Sequence, residues 1–89
     1  MIRLATDDAE PVESTDLDDV SPMAWRLLRV AAGYEQREVE REVDDLMQAH
    51  LSMLENGNRA LSRPRRQLLL DLYAAELDGD QVAAIVGNF

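Results

Sequence analysis

The sequence predicts an all-α domain of four to five helices, on three observations. Apolar residues recur at helical spacing from Trp25 to Leu77. Serine–proline and glycine signals punctuate that pattern at short intervals. No stretch alternates apolar and polar residues as a half-buried strand would, so the elements must pack as a helical bundle.

Ser21 is a good cap for the first helix, with Pro22 at its first position and Val20 placed to staple onto Trp25. Trp25, Leu28 and Ala32 mark its inward face, Arg26 and Arg29 lie off it, and Gly33 ends it. A shorter helix fits Gln36 to Val43, with Val39 and Val43 one turn apart, until Asp44 and Asp45 break it. The third runs from about Leu46 to Glu55, buries Leu46, Leu51 and Leu54, and stops at Asn56-Gly57. Ser62 caps a fourth helix with Pro64 in its first turn. Its stripe is Leu68, Leu69, Leu72, Tyr73 and Leu77, with Leu70 pointing elsewhere. Gln81 to Val86 suits a short fifth helix ending at Gly87. The expected organisation is an acidic, disordered tail over residues 1–20, a domain over 21–78, and a C-terminal helix over 79–89.

Eighty-nine residues allow one domain with a modest core. The chain has no cysteine, which excludes disulfides, thiolate metal sites and a nucleophilic thiol. No apolar run has membrane-helix length, and the start is neither basic nor apolar enough for a signal peptide, so a cytoplasmic location is expected. Net charge is −9, and all nine basic residues are arginine. Acid enrichment without lysine points to a halophilic proteome, with a GC-rich genome as the other source of the bias. Residues 1–22 carry −6 and 67–89 carry −4, while 23–66 carry +1. The acid therefore sits on the flanks of a near-neutral middle.

That middle carries a resemblance. Trp25-Arg26-Leu27-Leu28-Arg29-Val30-Ala31-Ala32-Gly33-Tyr34-Glu35-Gln36 resembles the opening of the lambda-repressor/Cro-like (XRE) helix-turn-helix family. Leu46 through Gly57, with its Glu55-Asn56-Gly57 ending, resembles that family's recognition helix, and Asn58 through Ser62 continue the pattern. The likeness spans some 55–60 residues. It departs at the turn, where members read Leu-Gly-Val and this chain has Val43-Asp44-Asp45-Leu46, one residue longer and without glycine. It departs also at Glu40, where members place alanine. A buried unpaired carboxylate is costly, so Glu40 is expected to tilt outward or pair with Arg37.

The resemblance implies a sequence-specific DNA-binding transcription regulator, working as a homodimeric repressor because one such domain reads few base pairs. With Leu46, Leu51 and Leu54 inward, Gln48, Ala49, Ser52 and Met53 face out toward a major groove. Glutamine pairs with adenine and apolar side chains meet thymine methyls, which suggests an A·T-containing site. Gln36, with Arg37 beside it, matches the family's phosphate contact at the start of helix two. Asn56 and Arg59 match a second one, and Arg63, Arg65 and Arg66 extend it. Asp45 and Gln48 also fit a capping box that would occupy Gln48 locally. His50 is read as exposed or phosphate-adjacent, not as a metal ligand. Val82, Ala83, Ile85, Val86 and Phe89, with Leu70, form the candidate dimer contact. No spacing suggests an activated nucleophile or a phosphate loop, so neither an enzyme nor a cofactor is expected. Two other functions fit: the antitoxin of a toxin–antitoxin pair, and an interaction module that has lost DNA binding.

Overall fold

The computed structural model describes residues 17–89, and among these it contains five α-helices and no strand. They are α1 (Pro22–Ala31), α2 (Gln36–Glu42), α3 (Gln48–Asn56), α4 (Arg63–Ala74) and α5 (Gly79–Asn88). Of the expected acidic arm, residues 1–16 lie outside the described residues. Its last four do not form a tail. Leu17–Asp19 make a 3-10 turn against α4, and Leu17 and Val20 are buried in the core. Asp18 accepts a hydrogen bond from Arg66 Nη1 at 2.9 Å, which pins this segment to the first turn of α4.

Local chemistry explains most helix ends. The Ser21 hydroxyl accepts from the Ala24 N–H at 3.0 Å, and Pro22 fills the position whose N–H would lack a partner. Gly33, at φ +89°, turns the chain after α1. Gly57, at φ +77°, ends α3, and a Cβ there would sit 3.3 Å from Pro22 Cγ. Glycine is thus favoured twice over at position 57, by backbone sign and by the nearness of the start of α1. Ser62 caps α4 through the Arg65 N–H. At α5 the sequence reading started the helix too late and stopped it too early. Asp78 accepts from the Gln81 N–H at 2.8 Å while Gln81 Oε1 accepts from the Asp78 N–H at 2.9 Å, so the helix begins at Gly79. Gly87 lies inside it.

The start of α3 also differs from expectation. Asp45 adopts φ +64°, which a residue capping a helix from extended backbone cannot share. Leu46 is buried just before the helix, and α3 begins at Gln48, with Met47 in extended backbone as its cap. The Met47 N–H donates to His50 Nδ1 at 3.1 Å, so His50 closes this end of the helix. Aspartate is among the side chains that tolerate this left-handed region best, although glycine suits it better. We expect Asp45→Gly to equal or exceed the parent in stability by up to about 1 kcal/mol, and Asp45→Val to lose about 1–2 kcal/mol. Urea denaturation of the two variants checks this.

One core joins all five helices: Leu17, Val20, Ala24, Trp25, Leu28, Val39, Val43, Leu46, Leu51, Leu54, Leu69, Leu70, Tyr73 and Val82. The face of α4 is rotated from the predicted stripe. Leu70 is fully buried with Leu69 and Tyr73, whereas Leu68 is 53% exposed. Burial pushes the Tyr73 phenol well above its ordinary range, and its ring meets Tyr34 at a centroid distance of 6.2 Å. Leu70 therefore has no surface to offer a second copy. Val82 is buried too, and Ile85 and Val86 pack on the same core, so α5 belongs to the domain and is not an appendage. No helix among the described residues is long and apolar enough to cross a membrane.

Candidate nucleic-acid interface

One largely buried ion pair ties α1 to α3 and to the turn between α1 and α2. Glu55, on the last turn of α3, has a side chain only 4% exposed. Arg29 of α1 donates to it twice, Nε to Oε2 at 2.8 Å and Nη2 to Oε1 at 3.1 Å. Its remaining nitrogen, Nη1, donates to the Tyr34 carbonyl at 2.8 Å, on the α1–α2 turn. The hydrogen bond to Glu55 raises the Arg29 guanidinium above its ordinary value, against the opposing cost of burial. Arg29 does not lie off the packed face, as its sequence position suggested. It is four residues beyond Trp25 and next to Leu28, and its fork satisfies three acceptors on two other segments.

Gln36, first residue of α2, connects this pair to the surface. Its Nε2 donates to Glu55 Oε1 at 3.2 Å, and its Oε1 accepts from Ser52 Oγ at 3.1 Å and Gln48 Nε2 at 3.4 Å. A continuous chain of polar contacts thus runs from Arg29 through Glu55 and Gln36 to Gln48 and Ser52. Such a network restricts rotamers on the exposed face of α3 without immobilising the outer atoms of Gln48. Among the described residues, the side-chain carbonyl oxygen and one N–H of Gln48 have no partner. The local capping box expected to occupy it does not form, because Met47 and not Asp45 is the cap.

The expected site residues divide by location. Gln48 and Ala49 are exposed at the start of α3, and Ser52 and Met53 are half-buried one turn on. All four share the outward side of that helix. Gln36 joins them, with its amide turned onto Glu55 and the α3 side chains. Arg37 points to solvent, and its carboxylate neighbour is Glu35 at 3.8 Å, both side chains more than two-thirds exposed; such a contact holds little energy. Asn56, the last residue of α3, and Arg59, just beyond it, are exposed. Arg59 and Arg65 line a shallow groove with His50, Met53, Leu61 and Ser62, which places two guanidinium groups beside the end of α3. Arg66 does not extend this strip, since its side chain is 15% exposed and bound to Asp18.

Acid occupies part of the same region. Asp44 and Asp45 are exposed on the α2–α3 turn. Glu40 is exposed as expected, but its partner is not Arg37: Oε2 accepts the backbone N–H of Gln48 at 3.1 Å. Sequence reasoning gave Glu55 and Arg29 no contact on this face, and gave Glu40 only an outward tilt or an arginine partner. The two residues of the ion pair carried a signal, each lying four positions after a buried residue, Trp25 or Leu51.

Residues 14–66, more than half of the chain, match the model of a protein family described as a domain of unknown function (DUF8599). That span begins before Leu17 and takes in the ion pair, α2, α3 and the arginines after it. No curated protein and no solved structure matches the chain.

Proposed function

We propose that this chain, which belongs to the DUF8599 family, is a sequence-specific DNA-binding regulator that inserts α3 into the major groove. The carrying observation is the polar chain Arg29–Glu55–Gln36–Gln48/Ser52. It fixes α2 against α3 and presents an outward helix face of glutamine, alanine, serine and methionine. A major groove about 12 Å wide admits one helix, and the free atoms of Gln48 suit the paired donor and acceptor of adenine. Ala49 and Met53 meet thymine methyl groups, and Arg37, Arg59 and Arg65 hold the phosphate backbone. The resemblance to XRE helix-turn-helix proteins supports the same assignment.

Two half-sites require two copies. Of the residues expected to form the dimer contact, Ala83 and Phe89 remain exposed, and the Ser21 hydroxyl donates to the Phe89 carbonyl at 2.7 Å. The end of α5 therefore lies beside the start of α1, where Met23 is 50% exposed, and this apolar corner is the homodimer contact we favour. Occluding a promoter needs only binding, so repression is the regulatory sense proposed.

The division of roles is testable on a selected DNA site by fluorescence anisotropy. Gln48→Ala is expected to erode discrimination at one base position by roughly 1–3 kcal/mol. Arg59→Ala should weaken all sequences alike and flatten the salt dependence by about one phosphate's share. Equal effects of both variants on every sequence would contradict the assignment. A second reading draws on the acids Glu40, Asp44 and Asp45 around the start of α3: a protein-interaction module that has kept the fold without DNA binding. It predicts a folded protein that discriminates no DNA sequence.

A further inference from the structure

Glu40 stands where a carboxylate is least expected on a DNA-reading surface. It lies one helical turn after Gln36 on α2, so the two side chains share a face. Gln36 reaches the side chains of Gln48 and Ser52, and Glu40 reaches the backbone of Gln48. One oxygen, Oε2, is occupied by the Gln48 N–H at 3.1 Å, a favourable placement of negative charge at the start of a helix. The other oxygen has no partner among the described residues, and no arginine there neutralises the group. The fold thus holds a carboxylate acceptor in fixed relation to Gln48, with one oxygen tethered and the other without a partner among the described residues.

We infer that Glu40 is a specificity-determining residue that selects cytosine beside the base pair read by Gln48. This rests on the DNA-binding reading above. A carboxylate accepts hydrogen bonds and donates none, so it pairs with an exocyclic amino group and is repelled by the acceptors of guanine and by thymine O4. Between the two amino-bearing bases, adenine places N7, another acceptor, next to its N6 amino group. Cytosine places a C–H beside N4 on its own ring, with O6 of its guanine partner as the one flanking acceptor, whereas adenine N6 lies between two acceptors, its own N7 and thymine O4. The carboxylate therefore favours cytosine, accepts adenine less well, and penalises guanine and thymine, which leave a negative oxygen facing an acceptor in a partly dehydrated groove. Readout by exclusion also explains how an acidic residue is tolerated there: it costs affinity for most sequences and spares one.

The test uses the full chain and a randomised pool of duplex DNA, with selection profiles measured for the parent, Glu40→Gln and Glu40→Ala. Thermal unfolding of each protein is recorded in parallel. The parent should prefer cytosine over thymine at one position by roughly five- to 150-fold. Glu40→Gln keeps an oxygen to accept from the Gln48 N–H, so it should hold its unfolding temperature, lose that preference or move it toward adenine, and bind unrelated DNA more tightly. Glu40→Ala should lose the same preference and some stability as well. An unchanged profile in Glu40→Gln overturns the inference while leaving the DNA-binding reading intact. A profile that changes only in Glu40→Ala, in step with its lost stability, overturns it too, since Glu40 would then act solely as a cap. If parent and variants fold yet select no sequence, both the inference and the reading beneath it fail.

Discussion

Glu55→Ala is expected to lower folding stability by about 3–5 kcal/mol, because it leaves the Arg29 guanidinium buried without its counter-charge. The loss extends beyond one contact. Glu55 accepts from Arg29 twice and from Gln36 once, so its removal strands donors on α1 and α2 together. A domain of this size has on the order of 5–15 kcal/mol in total, so the variant should be partly unfolded at moderate temperature. Chemical denaturation followed by circular dichroism gives the number. Glu55→Gln separates charge from hydrogen bonding: it keeps an acceptor for one donor and should fall between parent and alanine variant. A loss below about 1 kcal/mol for Glu55→Ala would mean the pair is dispensable and that α2 and α3 are held by apolar packing alone.

Leu70→Ala should cost about 2–5 kcal/mol, whereas Leu68→Ala should stay within about 0.5 kcal/mol of the parent. Leu70 is fully buried between Leu69 and the next turn's Tyr73, while Leu68 is 53% exposed two residues earlier. Removing Leu70 leaves a cavity in a core shared by every helix. Removing Leu68 mainly alters solvent contact. Parallel denaturation curves decide the matter, and the reverse order would restore the stripe that periodicity suggested.

That stripe shows where sequence reasoning reaches its limit. Leu68, Leu69 and Leu70 are consecutive, so hydrophobic spacing alone cannot choose which two face inward. Arg66 helps determine the rotation. It lies four residues before Leu70, and its side chain is drawn onto Asp18, a partner 48 positions away. Leu17 was missed for a related reason: one apolar residue in an acidic stretch makes no periodic pattern, whereas Val20, beside the Ser21 cap, was read as a staple onto Trp25 and is buried with it. The signals that did transfer are local. Ser21, Ser62, Gly33 and Gly57 act through their own backbone and nearest neighbours, so their roles follow from residue type.

The candidate interface was legible to a similar depth. Gln48, Ala49, Ser52 and Met53 were assigned outward because Leu51 and Leu54 had to be inward, and helix geometry does the rest. What the sequence concealed were contacts between segments: Gln36 turned onto Glu55, Glu40 reaching the N–H of Gln48, and His50 closing the helix that Asp45 was expected to cap. The longer turn could be counted in advance. That aspartate would adopt the glycine-like conformation within it could not, since the alternative was a displaced α3.

The central claim is that α3, held by the Arg29–Glu55 pair, reads DNA. Its most direct test is fluorescence anisotropy of the full chain on the DNA upstream of its own gene, against a shuffled duplex, across a salt series. The account predicts preferential binding to the upstream sequence, with log affinity falling linearly in log salt by about 0.9 for each phosphate neutralised by the few exposed arginines. A folded protein that binds both duplexes equally, or neither at any salt, would contradict it.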